Sequence, residues 1–273
     1  ICNLITNIGC QDHAAHHVSK HPFEAIPLQE MEEMVHPTFV CPDIEADLRS
    51  QAREYNVNYE DLSSVNDYQY LKQRLADAPL MKIPKVIHQI YEDLAGPPAH
   101  LVEIAKSWKE HNPDWEYRFW NKHDMEAFMQ EYYPELIPAY ESFPRNVQRW
   151  DAIRYLILYK LGGLYVDMDY ECTENITPLL YGVTCGMGLE PFGHNVRSRR
   201  PVIVGNAFMA SVPGHPFMQE LIDTIFYKLG DRIQQMHVMN STGPFMVTKQ
   251  YNESSCQDEV TLIPAGLVAP LTQ

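Results

Sequence analysis

The stretch that most constrains the fold of this chain is NVQRWDAIRYLILYKLGGLYVDMD, residues 146–169. Its first part predicts a long helix, for which Asn146 is a candidate N-cap, and the pair Gly162-Gly163 predicts where that helix ends. The apolar residues 164–166 then predict a short buried strand. Because two glycines alone join these elements, we expect the helix and the strand to run antiparallel and to pack against each other.

Two aspartates, Asp167 and Asp169, lie at the carboxyl end of this predicted strand. About one Asp-x-Asp triplet is expected by chance in a chain of this composition, so the surrounding pattern decides its meaning. Continued strand alternation would place Tyr165 on the same face as both aspartates, with the apolar side chains on the opposite face. Ligands of open α/β sheets bind at the carboxyl ends of the strands. The pattern therefore predicts a ligand site at this strand end.

The predicted helix brings two further charged residues to the same level. The strand rises about 3.3 Å per residue and the helix descends about 1.5 Å per residue, so the matching helical positions lie near Asp151 and Arg154. These two residues are helical neighbours at i and i+3. Paired carboxylates at a strand end suit Mg²⁺ or Mn²⁺, and Arg154 would add a fixed positive charge for an anionic substrate. An ordinary ion pair beside two loop carboxylates is the alternative.

The rest of the pattern predicts two regions. Residues 1–80 contain short amphipathic segments broken by proline, which predict a helical N-terminal extension. Residues 81–273 alternate between strand and helix patterns and predict an α/β class, with a Rossmann-like sheet. A basic cluster, RSRR at residues 197–200, falls in a predicted loop between two strands. It is either a solvated face or a contact for an acceptor or a phosphate.

At these residues the chain resembles glycosyltransferase family 32, the Asp-x-Asp sugar-binding transferases, and at a distance the catalytic domains of the clostridial glucosylating toxins. The matching segments, between residues 83 and 244, are IPKVIHQIY, NPDWEYRFWN, QRWDAIRYLILYKLGGLYVDMDYE, GNAFMAS and STGP. The resemblance implies a GT-A fold, with a mixed sheet flanked by helices, over residues 81–273. It also implies a nucleotide-sugar donor, a divalent metal (Mn²⁺ or Mg²⁺) and transfer of a hexose or N-acetylhexosamine with retention of anomeric configuration.

The resemblance further implies roles for individual residues. Asp169 would bind the metal directly, and Asp167 would contact both the donor and the metal. The implied catalytic group is Asp151, Arg154 and Asn206, with the first two at the sugar hydroxyls and Asn206 near the anomeric carbon or the acceptor. The implied donor pocket is formed by Ile90, Tyr91, Asn121, Tyr165 and Asp167.

The chain departs from the family pattern in two places. Tyr91 stands where relatives usually have Trp, and it keeps a stacking surface. The sequence ends at PAGLVAPLTQ, where relatives continue into a segment that completes the metal site. We therefore expect the C-terminal closing segment to be absent from this sequence, with a flexible lid as the alternative, and the third protein ligand of the metal stays unassigned.

Two other functions stay open. A metal-dependent phosphatase of the haloacid dehalogenase type also carries Asp-x-Asp at a strand end, although the later part of this chain has no adjacent pair of aspartates. The second alternative is a GT-A protein that binds sugar nucleotides but is catalytically weak. Donor hydrolysis would separate a transferase from such a binder.

Composition limits the partners and the compartment. The net charge of −15 argues against nucleic acid as a partner. The donor is expected to be a UDP-sugar or GDP-mannose and the acceptor a glycan, lipid-linked or protein hydroxyl, in polysaccharide or glycoconjugate synthesis, with peripheral membrane association left open. Six cysteines without a Cys-x-x-Cys pair favour free thiols. Together with the lack of an apolar anchor, they favour a cytoplasmic bacterial enzyme, with the Golgi lumen, after loss of an anchor, as the alternative.

Overall fold

The computed structural model describes residues 2–4, 67–78, 80–93, 95–200 and 202–269. The predicted helical extension of residues 1–80 lies largely outside these residues, and its boundary stays a prediction. Within the described ranges, no helix combines the length and the apolar character needed to cross a bilayer.

Helices and strands alternate through the described part of the chain. The strands are β1 (Cys2–Leu4), β2 (Val86–Ile90), β3 (Glu116–Trp120), β4 (Gly163–Val166), β5 (Tyr170–Cys172), β6 (Cys185–Leu189), β7 (Val204–Ser211) and β8 (Val260–Ile263). The helices are α1 (Asp67–Ala76), α2 (Ala99–His111), α3 (Lys122–Tyr132), α4 (Ile137–Ser142), α5 (Asn146–Leu161), α6 (Phe192–Ser198), α7 (Pro216–Asp223), α8 (Val238–Ser241), α9 (Pro244–Glu253) and α10 (Ala265–Val268). Short 3₁₀ turns cover Pro134–Leu136, Thr177–Leu180, Gly230–Gln235 and Gln257–Glu259, and a π-helical turn covers Thr224–Lys228.

The main sheet has six strands in the order β3-β2-β4-β7-β6-β8. Parallel ladders join β2 to β3, β2 to β4 and β6 to β8, whereas β7 pairs antiparallel with both β4 and β6. All strands of this sheet except β7 therefore end at one edge, which is the edge where β7 begins. A separate antiparallel pair is formed by β1 and β5. The mixed sheet with helices around it confirms the predicted α/β class.

The central strand β4 divides its side chains between two apolar layers. Tyr165 faces a cluster that includes residues of α3, α5, α7 and α9, whereas Leu164 and Val166 face a cluster that includes residues of α1, α2 and α10. Helix α5 is the main element of the first layer, and its Leu156 and Ile157 have no exposed surface. Burying each such side chain stabilises the fold by about 1.5–3 kcal/mol. The sheet is thus covered on both faces, and its carboxyl edge is left for ligands.

The two glycines between α5 and β4 let this helix and strand pack as predicted. Gly162 and Gly163 have φ values of 67° and 100°. A Cβ on Gly163 would lie 2.5 Å from the carbonyl oxygen of Val86 and 2.9 Å from Nε2 of His88, so only glycine fits this approach of β4 to β2. The buried ring of His88 lies with Nε2 2.9 Å from the Gly162 carbonyl oxygen, and its Nδ1 accepts a hydrogen bond from Trp120 Nε1. Burial lowers the pKa of His88 to about 4.

Two local predictions are wrong. Asn146 is the first residue of α5 rather than its N-cap, and its Nδ2 donates to Glu92 Oε2 over 3.2 Å. The basic cluster at 197–200 does not lie wholly in a loop, because α6 extends to Ser198 and carries Arg197 in its last turn. At Asn146, a tertiary hydrogen bond takes the place of the capping bond that the residue type favours. At residues 197–198, a short helix takes the place of the predicted loop.

Candidate active site

The two aspartates lie in a tight turn directly after β4. The strand ends at Val166, the backbone N–H of Asp167 donates to Ala207 O over 2.9 Å, and the N–H of Tyr170 donates back to Asp167 O over 3.2 Å. Gln89 on β2 also donates from Nε2 to Asp167 O, over 3.1 Å. Strand alternation therefore stops before Asp169, and the prediction that it shares a strand face with Tyr165 is wrong. The turn holds both carboxylates at the carboxyl edge of the sheet.

Arg154 of α5 joins the helix to this turn. Its Nη1 lies 3.1 Å from Asp167 Oδ1, and its Nη2 lies 3.2 Å from Asp151 Oδ1. Nη1 also donates to Asn206 O on β7 over 2.9 Å, and the guanidinium stacks over the Tyr165 ring at 4.6 Å. Burial lowers the pKa of Arg154, but the neighbouring Asp167, Tyr165 and Asp151 outweigh this and raise the pKa above its ordinary value. The predicted convergence of helix and turn is therefore present.

Asp167 is oriented by two neighbours that share one of its oxygens. Tyr165 donates from its hydroxyl to Asp167 Oδ1 over 2.7 Å, beside the contact from Arg154. Within the described residues no donor bonds to the second oxygen, Oδ2. About a third of the Asp167 side chain is exposed. The carboxylate is thus fixed in direction while one oxygen stays available to a ligand.

Asp151 lies behind Arg154 and is almost fully buried. Its Oδ1 accepts from Asn206 Nδ2 over 3.0 Å, and its Oδ2 accepts from Thr242 Oγ1 over 2.8 Å. The hydroxyl of Tyr155 donates to Thr242 O over 2.7 Å and accepts from Asn206 Nδ2 over 3.0 Å. Burial raises the pKa of Asp151, and Arg154 opposes that rise. Both oxygens of Asp151 are used inside the protein, where they tie α5 to β7 and to the turn after α8.

A cleft of about 880 Å³ opens in front of this network. Of the residues predicted from sequence, those that line it are Ile90, Tyr91, Arg154, Tyr165, Asp167 and Asp169. Asp151 and Asn206 are not in its wall, because they lie buried behind Arg154. Asn121 is not in the wall either, since its side chain forms a reciprocal capping box with Asp124 at the start of α3.

Sequence reasoning missed several residues of the site. Trp150 and Lys122 line the cleft, and Gln89 and Thr242 support the aspartates from behind. The spacing of Trp150 places it in the apolar stripe of α5 and gives no other signal. Thr242 belongs to the STGP segment that carries part of the resemblance, so the sequence contains a signal there without indicating a role.

The carboxylates facing the cleft fit a divalent cation. Arg154 already contacts Asp151 and Asp167, whereas Asp169 forms no ion pair with any of the described residues. Burial and the nearby Asp167 raise the pKa of Asp169 to about 6, and the more distant charge of Arg154 only partly opposes this rise. The described residues contain no group of three or more His, Cys, Asp or Glu arranged around one metal. Mg²⁺-type ions are commonly held by one or two carboxylates together with substrate phosphates and water, which suits this pair.

Comparison with known proteins agrees with this geometry. Residues 98–184 match the family described as "Glycosyltransferase sugar-binding region containing DXD motif", and this segment includes α5 and the aspartate turn. The match covers about a third of the chain. This match gives no support to the phosphatase alternative. The resemblance implied a GT-A fold for this family, and the mixed sheet described above agrees with it.

Several curated proteins are similar to this chain. "Inositol phosphoceramide mannosyltransferase 3" of Schizosaccharomyces pombe is 32% identical over 70% of this chain and 51% of its own length. "Mannosyl phosphorylinositol ceramide synthase CSH1" of Saccharomyces cerevisiae is 34% identical over 66% of this chain and 46% of its own length. The chain thus spans about half the length of these relatives. Among solved structures, "PaToxG Glycosyltransferase" covers 77% of this chain and 79% of that chain with 16% identity and a TM-score of 0.49, too low to transfer any site residue or substrate.

The expected bacterial cytoplasmic location is wrong, because these relatives come from fission yeast and budding yeast. The cysteine content that favoured this location does not determine it. Cys172, Cys185 and Cys256 are buried in the fold, and buried thiols are inert, so these cysteines do not indicate the compartment.

Proposed function

We propose that this chain is a metal-dependent, retaining glycosyltransferase that moves a mannosyl group from a nucleotide-diphosphate donor to a hydroxyl of a phosphoinositol-bearing glycolipid or related glycoconjugate. The observation that carries this proposal is the contact between Arg154 of α5 and Asp167 at the mouth of the cleft. The sugar and the acceptor are suggested by the names of the similar proteins. GDP-mannose is the first donor to test, and UDP-sugars are the second.

The cleft has the dimensions and the lining that such a donor requires. Its volume of about 880 Å³ lies within the range of about 300–1,000 Å³ that is usual for small-molecule sites. Ile90 and Tyr91 offer an apolar and an aromatic surface to a base or ribose, and Arg154 offers a positive charge to anionic oxygens. We assign the sugar-proximal end of the cleft to Asp167, whose Oδ2 is available to a hydroxyl or a metal.

Asp169 and Asp167 would hold the metal. A bound Mn²⁺ or Mg²⁺ would supply positive charge against the diphosphate and so lower the cost of its departure. The chain prepares this site through Tyr165 and Arg154, which fix the direction of the Asp167 carboxylate. Preorganised groups of this kind stabilise developing charge without reorganising during the reaction.

The transfer itself needs no protein nucleophile. The bond between sugar C1 and the phosphate oxygen breaks and its electron pair leaves on the diphosphate. The acceptor oxygen bonds to C1 from the same face, and its proton passes to an oxygen of the departing diphosphate. Asp151 is unsuited to attack C1, because both of its oxygens accept internal hydrogen bonds. This scheme differs from the two-carboxylate pathway of retaining glycosidases.

A donor panel with and without metal tests the proposal. We expect hydrolysis or transfer of one nucleotide sugar that requires Mn²⁺ or Mg²⁺, and we expect Asp169→Asn to lose at least about 100-fold of it. Asp258→Asn is the matched control, because Asp258 is an exposed aspartate outside the cleft wall. Donor binding with no turnover under any condition would favour the catalytically weak binding protein. Full activity of Asp169→Asn without metal would contradict the assigned metal site.

The other proposals concern organisation and location. A catalytic domain over residues 81–273 accounts for the site, since every residue placed in the cleft wall falls within it. A role in glycoconjugate synthesis follows from the proposed acceptor. The Golgi lumen, named above as the alternative location, stays a prediction.

A further inference from the structure

A second and smaller cavity lies at the same edge of the sheet as the aspartate turn. It has a volume of about 270 Å³ and includes in its wall Glu190, His194, Arg197, Ser198, Ile203 and Met239. Leu189, the last residue of β6, pairs with Val204 at the start of β7. Ala207, three residues further along β7, accepts the hydrogen bond from Asp167. The cavity and the aspartate turn therefore flank the same half of β7.

The polar wall of this cavity contains a carboxylate, an imidazole and a guanidinium, from Glu190, His194 and Arg197. Nδ1 of His194 lies 2.7 Å from Glu190 Oε2, and this hydrogen bond raises the pKa of His194. Arg197 is exposed and makes no ion pair with any residue in the described part of the chain. Its guanidinium therefore stays available to an anion, in a protein whose net charge is −15.

The backbone beside the cavity is shaped to bring Glu190 close. A Cβ on Gly205 would lie 2.7 Å from Glu190 Oε1, so a glycine at this position lets the carboxylate approach β7. The next residue, Asn206, donates to Asp151 in the network behind Arg154. The cavity is thus separated from that network by the thickness of one strand.

We propose that this cavity is the subsite for a phosphate group of the acceptor, with Arg197 and Ser198 as hydrogen-bond donors to its oxygens. The inference rests on the proposed function, since it assumes an acceptor that presents a hydroxyl to the nearby cleft. With about a third of the volume of the donor cleft, the cavity suits a phosphorylated headgroup rather than a nucleotide sugar. An acidic protein repels anions at long range, so an anionic acceptor needs a local cation, and arginine is the residue best suited to phosphate.

The test uses inositol 1-phosphate, myo-inositol and inorganic phosphate as probes, with binding measured by titration calorimetry. We expect inositol 1-phosphate to bind the wild-type chain at least tenfold more tightly than either of the other two. Arg197→Gln should weaken its binding about tenfold or more. Arg199→Gln should change it less than twofold, because Arg199 carries the same charge in the same segment but is outside the cavity wall.

Three results would overturn the subsite: equal effects of the two arginine variants, equal binding of inositol 1-phosphate and myo-inositol, or binding of inorganic phosphate as tight as that of inositol 1-phosphate. If Arg197→Gln does not fold, Ser198→Ala serves as the second variant, and an unchanged affinity in that variant overturns the inference as well. Donor hydrolysis by the wild-type chain reports separately on the proposed function. Its absence would remove the transferase proposal without altering the binding result.

Discussion

Nη1 of Arg154 lies 3.1 Å from Oδ1 of Asp167, although the two residues belong to elements that run in opposite directions. The same guanidinium lies 3.2 Å from Asp151 with its other terminal nitrogen. One side chain therefore sets the distance between a buried carboxylate and one that faces the cleft. This arrangement depends on the planar, forked shape of the guanidinium, which lysine does not have.

The first prediction concerns Arg154→Lys. A single ammonium cannot contact Asp151, Asp167 and Asn206 O together, so the charge would remain while the geometry is lost. We expect kcat/KM for donor hydrolysis to fall by about 100-fold. Steady-state kinetics on the purified variant measures this. Arg232→Lys is the control, because Arg232 is exposed and outside the cleft wall, and a comparable loss in the control would contradict the prediction.

The contact between Arg154 and Asp167 could be predicted from the sequence. The rise per residue of a strand and of a helix, counted from the Gly162-Gly163 turn, places both residues at the same level. The position of Asp169 could not be predicted. Side chains alternate between the two faces only while a strand continues, and the chain turns after Val166. The hydrogen-bond partners of Asp151 could not be predicted from the sequence either. Thr242 lies 91 residues further along the chain, and only the tertiary fold brings its hydroxyl to that carboxylate.

For the mixed sheet too, local sequence patterns predict part of the structure, and the rest depends on tertiary contacts. The alternation of strand and helix patterns over residues 81–273 predicts the α/β class, and the apolar residues 164–166 predict β4 close to its observed position. The order of the strands and the antiparallel direction of β7 depend on pairings that no local pattern encodes. Asn206 of β7 lies behind Arg154 and outside the cleft wall, so its predicted place near the anomeric carbon stays a prediction.

The second prediction concerns Thr242→Val. This change removes the hydrogen bond to Asp151 Oδ2 and leaves a buried carboxylate oxygen without its donor. The free energy of unfolding should fall by about 1–3 kcal/mol. Because Asp151 in turn orients Arg154, kcat should fall while KM for the donor changes little. Thr242→Ser keeps the hydroxyl and should restore kcat, so a failure of this rescue would show that Thr242 acts through packing alone.

The third prediction concerns the glycine turn between α5 and β4. Gly163→Ala places a methyl group 2.5 Å from Val86 O at a φ of 100°, and should cost about 2–5 kcal/mol of unfolding free energy. The matched control is Gly214→Ala. Gly214 also has a positive φ, of 71°, but nothing lies within 4 Å of the position that a Cβ would take there, so about 1–2 kcal/mol is expected. Urea denaturation measures both, and equal costs would exclude the close approach to β2 as the cause.

The fourth prediction is a pH dependence of stability that originates at His88. Its pKa is about 4 in the fold, below the value of 6.5 expected in the unfolded chain. The unfolded chain therefore binds an extra proton between these values, so stability is full above pH 6.5 and is lost as the pH falls toward 4. The loss amounts to about 3 kcal/mol.

His88→Asn tests this assignment, because asparagine cannot take up the proton. Unfolding of the variant should take up about one proton fewer than unfolding of the wild type near pH 5, as measured from the slope of unfolding free energy against pH. The exposed His123 gives the control variant His123→Asn, which should leave the slope almost unchanged. An identical slope in wild type and His88→Asn would assign the acid sensitivity to carboxylates instead.

The fifth prediction concerns the free energy that Asp169 contributes when no metal is present. Burial and Asp167 raise its pKa to about 6, so the charged form at pH 7 costs the fold about 1–2 kcal/mol once solvent screening is allowed for. Asp169→Asn should therefore raise the melting temperature of the metal-free protein by about 2–4 °C. A bound Mn²⁺ removes the same cost in the wild type, so Mn²⁺ should raise the melting temperature of the wild type and of Asp258→Asn but not that of Asp169→Asn. Equal shifts of the melting temperature by Mn²⁺ in all three proteins would place the metal at another site. A lower melting temperature of metal-free Asp169→Asn than of the wild type would mean that the Asp169 carboxylate stabilises the fold without metal.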